Sequence, residues 1–567
     1  MKNNIKFPIL IIMSIVIFGC SKEYLTEQPL AVIAPDNLYV NKSGFEAGLN
    51  GLYNLWRKER RGMDAGGSND MAITAAMIGV DNAFSLRPAG GAPESVFNDF
   101  GVRLNSSDGG LKSMWEWLYV TINAANTIID RSENPSIKWT ANEKKQIVGE
   151  AKLIRAWAYR HLTNLWGDVP LNIKESSGAS IRTDWQRAPV AEVRKQMEAD
   201  LLDAEAGLSD VPVADGRASK VVAQHYLAEL YLTTGDYQKA KDKASIVVSN
   251  ANYSLMTARY GTKATQAGTP FTDMFLDGNS NRAQGNKEVL WVVQNEYLST
   301  GGDANIMRRW WVNRYTDMKI GSTIPLIYSI DYGGRGLGRF AITQFAISLY
   351  GPTDDRGSSY AIRTGYLMNN PASLSTTLNA NVKATCTTIG YTTGPTGARV
   401  GVDSVRFNMG CPEPAPNASY AFLWPSIRKW DWAPADPADI QQSSNYNDEI
   451  YLRLAETYLL LAEAQFRLND LAGAATTINV LRARAKATPI TAAQVTADFI
   501  LDERSRELLS EEHRRYSLKR FGKWFERTQK YNLYAGKLIT LRDTILPIPQ
   551  SVIDANLGAT MPQNAGY

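Results

Sequence analysis

Residues 228–240 read AELYLTTGDYQKA, and this stretch decides the fold. Apolar side chains recur there at steps of three and four residues up to Gly235, which is the spacing of one face of a helix. A glycine directly after such a pattern is typical of a helix end. The stretch therefore predicts a helix that ends at Thr234, a short turn, and a second helix that begins at about Tyr237.

The same arrangement recurs in residues 455–475, which read AETYLLLAEAQFRLNDLAGAA. Both copies match the helix-turn-helix core of a tetratricopeptide repeat, in which small residues let the two helices pack closely. Repeat scaffolds of this kind present a face to a ligand or dock a partner. Two separated copies therefore predict a mainly α fold built on a helical repeat scaffold.

Further helices are predicted outward from these copies, and a loop-rich lobe is predicted between them. Helical periodicity and terminal Gly or Pro residues predict helices at 114–129, 143–166, 189–208 and 496–523. Residues 250–447 have glycine-rich loops and short β-prone runs instead, such as Glu288–Val293. Loops on a rigid frame are where recognition is usually placed, so this lobe is predicted to bind the ligand.

The composition excludes several classes of function. The chain has 567 residues, of which 44% are hydrophobic and 21% charged, and this is typical of a globular protein. A formal net charge of +4 gives no electrostatic footprint for nucleic acid. His161, His225 and His513 lie far apart in sequence, and Cys386 and Cys411 have no histidine beside them, so neither a metal site nor a cofactor is predicted. A disulfide between the two cysteines is left open.

The amino-terminal segment predicts a lipoprotein signal. Lys2 and Lys6 precede an apolar run over 7–18, and Gly19 stands before Cys20. A basic start, a short apolar core and a small residue before the cleavage site define a secretory signal peptide. A lipid on Cys20 would hold the mature chain on a membrane. An ordinary signal peptide with an accidental cysteine is the alternative.

Two segments combine aromatic rings with amide and guanidinium groups, and the first of them also has an acid. Sugar binding needs this mixture, because a ring covers the apolar face of a pyranose while polar groups bond to its hydroxyls. The segments are DNAFSLR at 81–87 and RRWWVNRY at 308–315. If the second is extended, Trp310 and Trp311 point to opposite sides, so one of them should be exposed. The predicted ligand contacts, with packing or partner contact as the alternative for each, are Asp81, Asn82, Phe84, Arg87, Trp310, Trp311, Asn313, Arg314 and Tyr315.

Catalysis is not predicted. The sequence has no pair of carboxylates and no nucleophile with its base at a recognisable spacing. The acidic stretch at 354–356 is interpreted as a solvated turn. Glu503, Arg506 and Glu507 lie at helical spacing that favours ion pairing along one face, so they are interpreted as scaffold.

Five motifs, in order, resemble the SusD/RagB family of surface lipoproteins of the Bacteroidetes, over nearly the whole mature chain. They are residues 149–171, 216–237, 453–464, 503–508 and 546–549. The carboxyl terminus departs from the family pattern, since residues 563–567 read QNAGY and carry Ala565 where the family usually has proline.

The resemblance implies a SusD-like protein that is not an enzyme and that lies as a lid on a SusC-like TonB-dependent transporter. It implies a lipid anchor at Cys20 in the outer membrane, exposure at the cell surface, and capture of an oligosaccharide for uptake. The alternative function is peptide capture, because Arg308, Arg309 and Arg314 would suit the pairing with peptide carboxylates. A surface glycosidase is the third hypothesis.

The chain is expected to divide into four regions in keeping with this resemblance. These are a signal peptide at 1–19, an N-terminal helical region at 20–249, a loop-rich ligand-binding region at 250–447 and a C-terminal helical region at 448–567.

Overall fold

The computed structural model describes residues 34–62, 71–86, 96–302, 304–319, 324–371, 381–384, 389–392, 404–406, 422, 424–442 and 444–567. The predictions about Cys20, Arg87 and the pair Cys386 and Cys411 lie outside these residues. Among the described helices, none combines the length and the apolar character needed to cross a membrane.

The chain is mainly helical, which confirms the predicted fold class. The helices are α1 (Pro35–Leu38), α2 (Lys42–Arg61), α3 (Met71–Met77), α4 (Phe100–Arg103), α5 (Gly109–Arg131), α6 (Ala141–Trp166), α7 (Val190–Gly207), α8 (Lys220–Thr234), α9 (Tyr237–Val248), α10 (Pro270–Asp273), α11 (Met307–Trp311), α12 (Gln344–Ser348), α13 (Leu454–Arg467), α14 (Leu471–Arg484), α15 (Ala497–Leu508), α16 (Arg514–Arg520), α17 (Trp524–Tyr531) and α18 (Gln550–Ala555).

The strands are short and pair in small sheets. They are β1 (Ala83–Ser85), β2 (Val289–Val293), β3 (Phe340–Ile342), β4 (Ile362–Arg363), β5 (Gly365–Leu367), β6 (Asn381–Ala384), β7 (Ile389–Thr392), β8 (Ser404–Arg406), β9 (Ser426–Ile427) and β10 (Glu449–Arg453). The antiparallel pairs are β1 with β3, β2 with β10 and β4 with β9, and the four-stranded sheet has the order β5-β8-β6-β7.

The two repeat copies pack against each other although more than 200 residues separate them. Helices α5, α6, α7, α8 and α9 form successive contacts, and α9 then contacts α13, which contacts α14. The chain between α9 and α13 leaves this helical array and returns to it through β10, since Arg453 ends that strand and Leu454 begins α13. The loop-rich lobe is therefore inserted into a continuous helical scaffold.

The predicted helix ends follow local sequence signals. Thr140 and Glu143 cap the start of α6 reciprocally, with Thr140 N donating to Glu143 Oε2 at 2.8 Å. Gly235 follows α8 in the left-handed conformation, with φ of 88°, and its N–H donates to the carbonyl of Tyr231. These signals explain why α6 begins and α8 ends close to where the sequence predicts.

The prediction of one helix over 496–523 is wrong, because the chain turns between α15 and α16. Ser510 has φ of +66°, which a continuous helix does not contain. Contacts from outside the segment hold the turn: Trp430 Nε1 donates to Ser510 Oγ at 2.9 Å and Lys429 Nζ donates to Leu509 O at 3.0 Å. Long-range packing therefore overrides a locally helical pattern.

The stretch at 354–356 is a turn, but the interpretation that it is solvated is wrong. Arg356 is 1% exposed and donates to Asp354, Glu503 and Glu507 at 2.8 to 3.0 Å. The predicted pairing along α15 is confirmed for Arg506, whose Nη1 lies 2.8 Å from Glu503 Oε2. This buried charge cluster connects the inserted lobe to the scaffold.

An aromatic cluster joins α2 to the β2–β10 pair. Trp56 on α2 stacks on Trp291 of β2 with ring centroids 3.9 Å apart, and Tyr451 of β10 contacts both rings edge-on. Both tryptophans are buried. Such aromatic contacts stabilise a core beyond the area that they bury, so the end of β2 is held in a fixed position beside α2.

Candidate functional site

The first predicted site segment lies in the core. Asp81 is fully buried and accepts hydrogen bonds from Arg514 and Arg527 at 2.7 to 2.8 Å. Burial opposes its charge, but the two guanidinium groups hold the pKa of Asp81 below its usual value. Asn82 donates to Ser505 Oγ at 3.1 Å, and the ring of Phe84 stacks on Tyr534 with centroids 5.3 Å apart.

The expectation that Trp310 or Trp311 is exposed is wrong, because the segment is the helix α11 and not an extended strand. The two side chains are 1% and 2% exposed, and both rings pack on Phe340. Asn313 donates to Trp424 O and is buried, and Tyr315 is fully buried.

Arg314, like Arg309, is partly exposed, and it pairs with Asp317 at 2.6 Å. The segments around β1 and α11 therefore present no exposed aromatic ring for a sugar in the described part of the chain, and their role as ligand contacts stays a prediction.

A different feature has the size and chemistry of a ligand site. A cavity of about 610 Å³ lies between α2, the turn at 215–217 and the loop that follows β2, and we call it the β2-loop pocket. Pockets for small ligands commonly have volumes of about 300–1,000 Å³. Its lining residues are Asn50, Tyr53, Trp56, Arg57, Asp215, Gly216, Arg217, Val292, Gln294, Asn295, Glu296, Ser299, Thr300, Gly301, Gly302 and Asp448.

One face of α2 forms a wall of the pocket. Asn50, Tyr53 and Arg57 stand three and four residues apart, so they lie along one side of the helix. Arg57 Nη1 donates to the carbonyl of Gln294 and Nη2 to that of Gly301, each at 2.6 Å. The guanidinium group therefore fixes both ends of the loop after β2.

This loop is closed by its own backbone. Glu296 N donates to Gly302 O at 3.0 Å, and Gly302 N donates to Ser299 O at 2.9 Å. Leu298 lies at the tip with φ of 59° and is 87% exposed. A branched apolar residue seldom adopts a left-handed conformation, and strained backbone of this kind is concentrated at ligand-binding sites.

Two tyrosines are chain neighbours of residues that line the pocket. Tyr297 follows Glu296 in the chain, and Tyr446 lies two residues before Asp448. Their ring centroids are 5.0 Å apart at an angle of 60°, and both side chains are half-buried. Half-buried rings next to a polar cavity can cover the apolar face of a sugar ring.

The turn at 215–217 forms the opposite edge. Arg217 Nε and Nη2 donate to both carboxylate oxygens of Glu150, at 2.6 and 2.7 Å, and Nη1 donates to Glu46 at 3.1 Å. Trp291 Nε1 donates to Gly216 O at 3.0 Å. The turn is therefore tied to both α6 and β2.

The carboxylates of the pocket differ in environment. Asp448 accepts hydrogen bonds from Asn295 N at 3.1 Å and from Asn281 Nδ2 at 2.6 Å. Burial raises the pKa of Asp448, and the neighbouring charges of Asp215 and Glu296 add to the rise. Asp215 and Glu296 are exposed, and neither accepts a hydrogen bond or an ion pair from the described residues.

This arrangement suits the binding of polar, uncharged groups. Amide, hydroxyl and backbone carbonyl groups line one cavity with aromatic rings next to it, and such groups can bond to sugar hydroxyls. Both oxygens of Asp448 already accept hydrogen bonds from the loop and its surroundings. We therefore interpret Asp448 as a residue that positions the loop.

These residues were not predicted from the sequence, although two local signals point to them. Asn50, Asn54 and Arg57 form a polar stripe on a helix whose apolar residues, Phe45, Leu49, Leu52 and Trp56, lie on another face. Residues 294–297 read QNEY directly after the predicted strand, and they combine the same amide, acid and aromatic groups as residues 81–87.

The described residues contain one group of side chains that could hold a metal ion, namely Glu59, His161 and His513. Arg160 Nη1 lies 3.0 Å from His513 Nδ1, and because a guanidinium only donates, that nitrogen accepts. The proton of His513 is therefore on Nε2, which faces Glu59. A metal ion would need the lone pair of Nε2, so these residues fit a hydrogen-bond network better than a metal site.

Comparisons with known proteins cover most of the chain. Residues 287–567 match the family model described as "SusD family", and residues 94–232 match the model described as "Starch-binding associating with outer membrane". SusD-like protein P25 of Formosa agariphila is 25% identical over 538 residues, which are 91% of this chain and 90% of that protein.

Two further matches differ in how much of the chain they cover. SusD-like protein P2 of Formosa agariphila is 28% identical over 283 residues, which are 50% of this chain and 51% of that protein, so the chain spans about half the length of this relative. The solved structure of a "Laminarin binding SusD-like protein" has a TM-score of 0.64 at 20% identity and covers 93% of this chain and 100% of that chain. At this identity the structural similarity shows the fold alone.

Proposed function

Since this chain belongs to the SusD/RagB family, we propose that it captures an oligosaccharide at the cell surface and delivers it to a SusC-like TonB-dependent transporter. The β2-loop pocket is the proposed binding site. The observation that carries this proposal is a cavity of about 610 Å³ that is lined by amide, hydroxyl and carbonyl groups and lies next to a tyrosine pair.

The proposed location is the outer membrane, with a lipid anchor at Cys20. The signal-like segment before Cys20 supports the anchor. The family description that matches residues 94–232, "Starch-binding associating with outer membrane", supports both the location and a glycan as ligand. The laminarin-binding relative, which shares the fold, makes β-glucans a first class of ligand to test.

Peptide capture through arginines receives less support. Arg308 is fully buried, and its Nη1 and Nη2 donate to the carbonyls of Trp432 and Gln442. Arg314 pairs with Asp317. The guanidinium group of Arg308 is thus engaged inside the protein and that of Arg314, although partly exposed, is already paired, whereas an anionic peptide terminus would need one that is accessible and unpaired.

Calorimetric titration tests the proposed function. The full-length protein, purified in detergent, is titrated with laminarin-derived and starch-derived oligosaccharides, alongside Tyr297→Ala and Tyr446→Ala. Loss of one stacked ring is expected to weaken binding about tenfold. Trp185→Ala removes a half-buried ring outside the pocket and should leave the affinity unchanged. Unaltered affinity in both tyrosine variants would remove the tyrosine pair as a ligand contact, and no binding of either class of oligosaccharide would contradict the proposed function.

A further inference from the structure

We propose that the β2-loop pocket discriminates by charge: it takes uncharged sugars and rejects uronate or sulfated sugars, and Asp215 and Glu296 are the residues that reject them. This inference rests on the proposed function, because it assigns the ligand class of the same pocket. It follows from which charged groups of the pocket are already paired and which are not.

The positive charges of the pocket are occupied by the protein itself. Arg57 directs both Nη atoms to loop carbonyls at 2.6 Å. Arg217 binds both oxygens of Glu150 and one of Glu46. An anionic ligand would compete with these acceptors for a guanidinium partner, and a charge-assisted bidentate pair such as that of Arg217 with Glu150 is among the strongest hydrogen-bonded contacts in proteins.

The negative charges of the pocket are available to a ligand. Asp215 and Glu296 are exposed, and their carboxylates have no hydrogen-bond or ion-pair partner within the described residues. Both also raise the pKa of the half-buried Asp448, so each of them lies close enough to repel its carboxylate. With Glu46 and Glu150, five carboxylates accompany two guanidinium groups around this cavity.

A sugar hydroxyl and a sugar carboxylate therefore meet this pocket differently. A hydroxyl can donate to Asp215 or Glu296 and can accept from the amide groups of Asn50 and Gln294. A carboxylate or sulfate brings only acceptors and a negative charge, and like charges at an interface disfavour the wrong partner strongly. Charge thus acts as a filter that shape alone would not provide, since a uronate differs from its parent sugar at one carbon.

The test uses ligands that differ only in this charge. Laminarihexaose and maltohexaose are titrated into the full-length protein beside the same chains oxidised at C6 to glucuronate. The oxidised chains are expected to bind at least about tenfold more weakly at low ionic strength, and added salt should narrow the gap by screening the repulsion.

A double variant, Asp215→Asn with Glu296→Gln, should bring the affinities for the neutral and oxidised chains together. A control pair, Glu116→Gln with Asp242→Asn, removes two exposed carboxylates outside the pocket and should keep the gap. Salt dependence in the wild type gives a second measure that needs no variant.

The outcomes separate the two proposals. Equal or tighter binding of an oxidised chain by the wild type overturns the charge filter and leaves glycan capture standing. A gap that persists in the double variant overturns the assignment to Asp215 and Glu296. If none of the four chains binds, the proposed function of the pocket falls, and the charge filter falls with it.

Discussion

Gly216 sets the edge of the β2-loop pocket through its backbone. It has φ of +81°, a region that L side chains rarely adopt, and a Cβ at this position would lie 2.5 Å from Cγ of Gln294. Its carbonyl also accepts the hydrogen bond from Trp291. Glycine is therefore needed both for the turn and for the close approach of the loop after β2.

The variant Gly216→Ala tests this role. We expect it to lower the free energy of unfolding by about 1–3 kcal/mol, because it combines a left-handed alanine with a steric overlap. Because Gln294 must shift, glycan affinity should fall as well. Chemical unfolding and calorimetric titration of the same sample measure the two effects.

Gly51→Ala is a matched control on α2. Gly51 is an exposed glycine within the helix, and a Cβ there has nothing within 4 Å. Alanine should therefore stabilise the protein by up to about 1 kcal/mol through helix propensity. If both variants had the same small effect, the turn at 216 would not require glycine.

Among single residues, the predictions of exposure and ligand contact fail where polar and aromatic residues belong to the core. Asp81 has the composition of a sugar contact, but Arg514 and Arg527, which neutralise it, lie more than 430 residues further along the chain. Trp310 and Trp311 would have been split between two faces by a strand, and instead α11 buries both on Phe340. Neither outcome can be read from neighbouring residues alone.

The two repeat copies form the same turn between their helices with different residues. Gly235 between α8 and α9 has φ of 88°, and Asn469 between α13 and α14 has φ of 61°. Glycine and asparagine are the residues that tolerate this conformation at helix ends. The equivalent positions support the description of the two helix pairs as copies of one unit.

This equivalence predicts a graded effect of substitution at position 235. Gly235→Ala should lower the free energy of unfolding by about 1 kcal/mol, whereas Gly235→Asn should cost less, because asparagine already serves at position 469. Asn469→Gly should be neutral or slightly stabilising. Urea unfolding of the three variants measures the order, and an alanine variant as stable as the asparagine variant would contradict it.

Helices could be predicted from the sequence where neighbouring residues set their boundaries. Helical periodicity and terminal Gly or Pro residues predicted α5 to α8 to within a few residues. Such predictions succeed because helix caps and apolar faces depend on residues that are close in sequence. The break after α15 was not predictable, since Ser510 and Leu509 are held by Trp430 and Lys429 from the inserted lobe. A turn fixed from outside the segment leaves no pattern within it.

At the scale of the whole molecule, the pocket is an assembly of distant segments. Its walls come from α2, the turn at 215–217, the loop after β2 and Asp448, so residues 50 and 448 line one cavity. The family motifs indicated the scaffold because a repeat array has a repeated pattern. The pocket has no such pattern, and its position depends on how Trp56, Trp291 and Tyr451 bring α2 to the β2–β10 pair.

The three histidines of the chain join its halves and are all buried. His161 Nδ1 lies 2.8 Å from the hydroxyl of Tyr516, and His225 Nδ1 lies 2.8 Å from Thr457 Oγ1. Each pair links an N-terminal helix to a C-terminal one. Burial lowers the pKa of each histidine, in the case of His225 to about 3.

These shifts predict that the fold weakens in mild acid. In the unfolded chain a histidine binds a proton below about pH 6.5, whereas the buried histidines stay neutral to lower pH. Stability is therefore complete above pH 6.5 and is lost as the pH falls toward the folded pKa. For His225 alone, the free energy of unfolding should drop by about 2 kcal/mol between pH 6.5 and 4.5.

His225→Asn isolates this contribution, because an amide can keep a hydrogen bond to Thr457 but has no proton to gain in this range. Urea unfolding of wild type and variant at steps between pH 7.5 and 4.5 should give two curves that converge as the pH falls. The smaller side chain lowers the free energy of unfolding of the variant at every pH. Only the pH-dependent part of the difference between the two curves therefore reports the protonation of His225. Parallel curves would mean that His225 is protonated equally in the folded and unfolded chain, and burial at the contact between α8 and α13 would then not govern its charge.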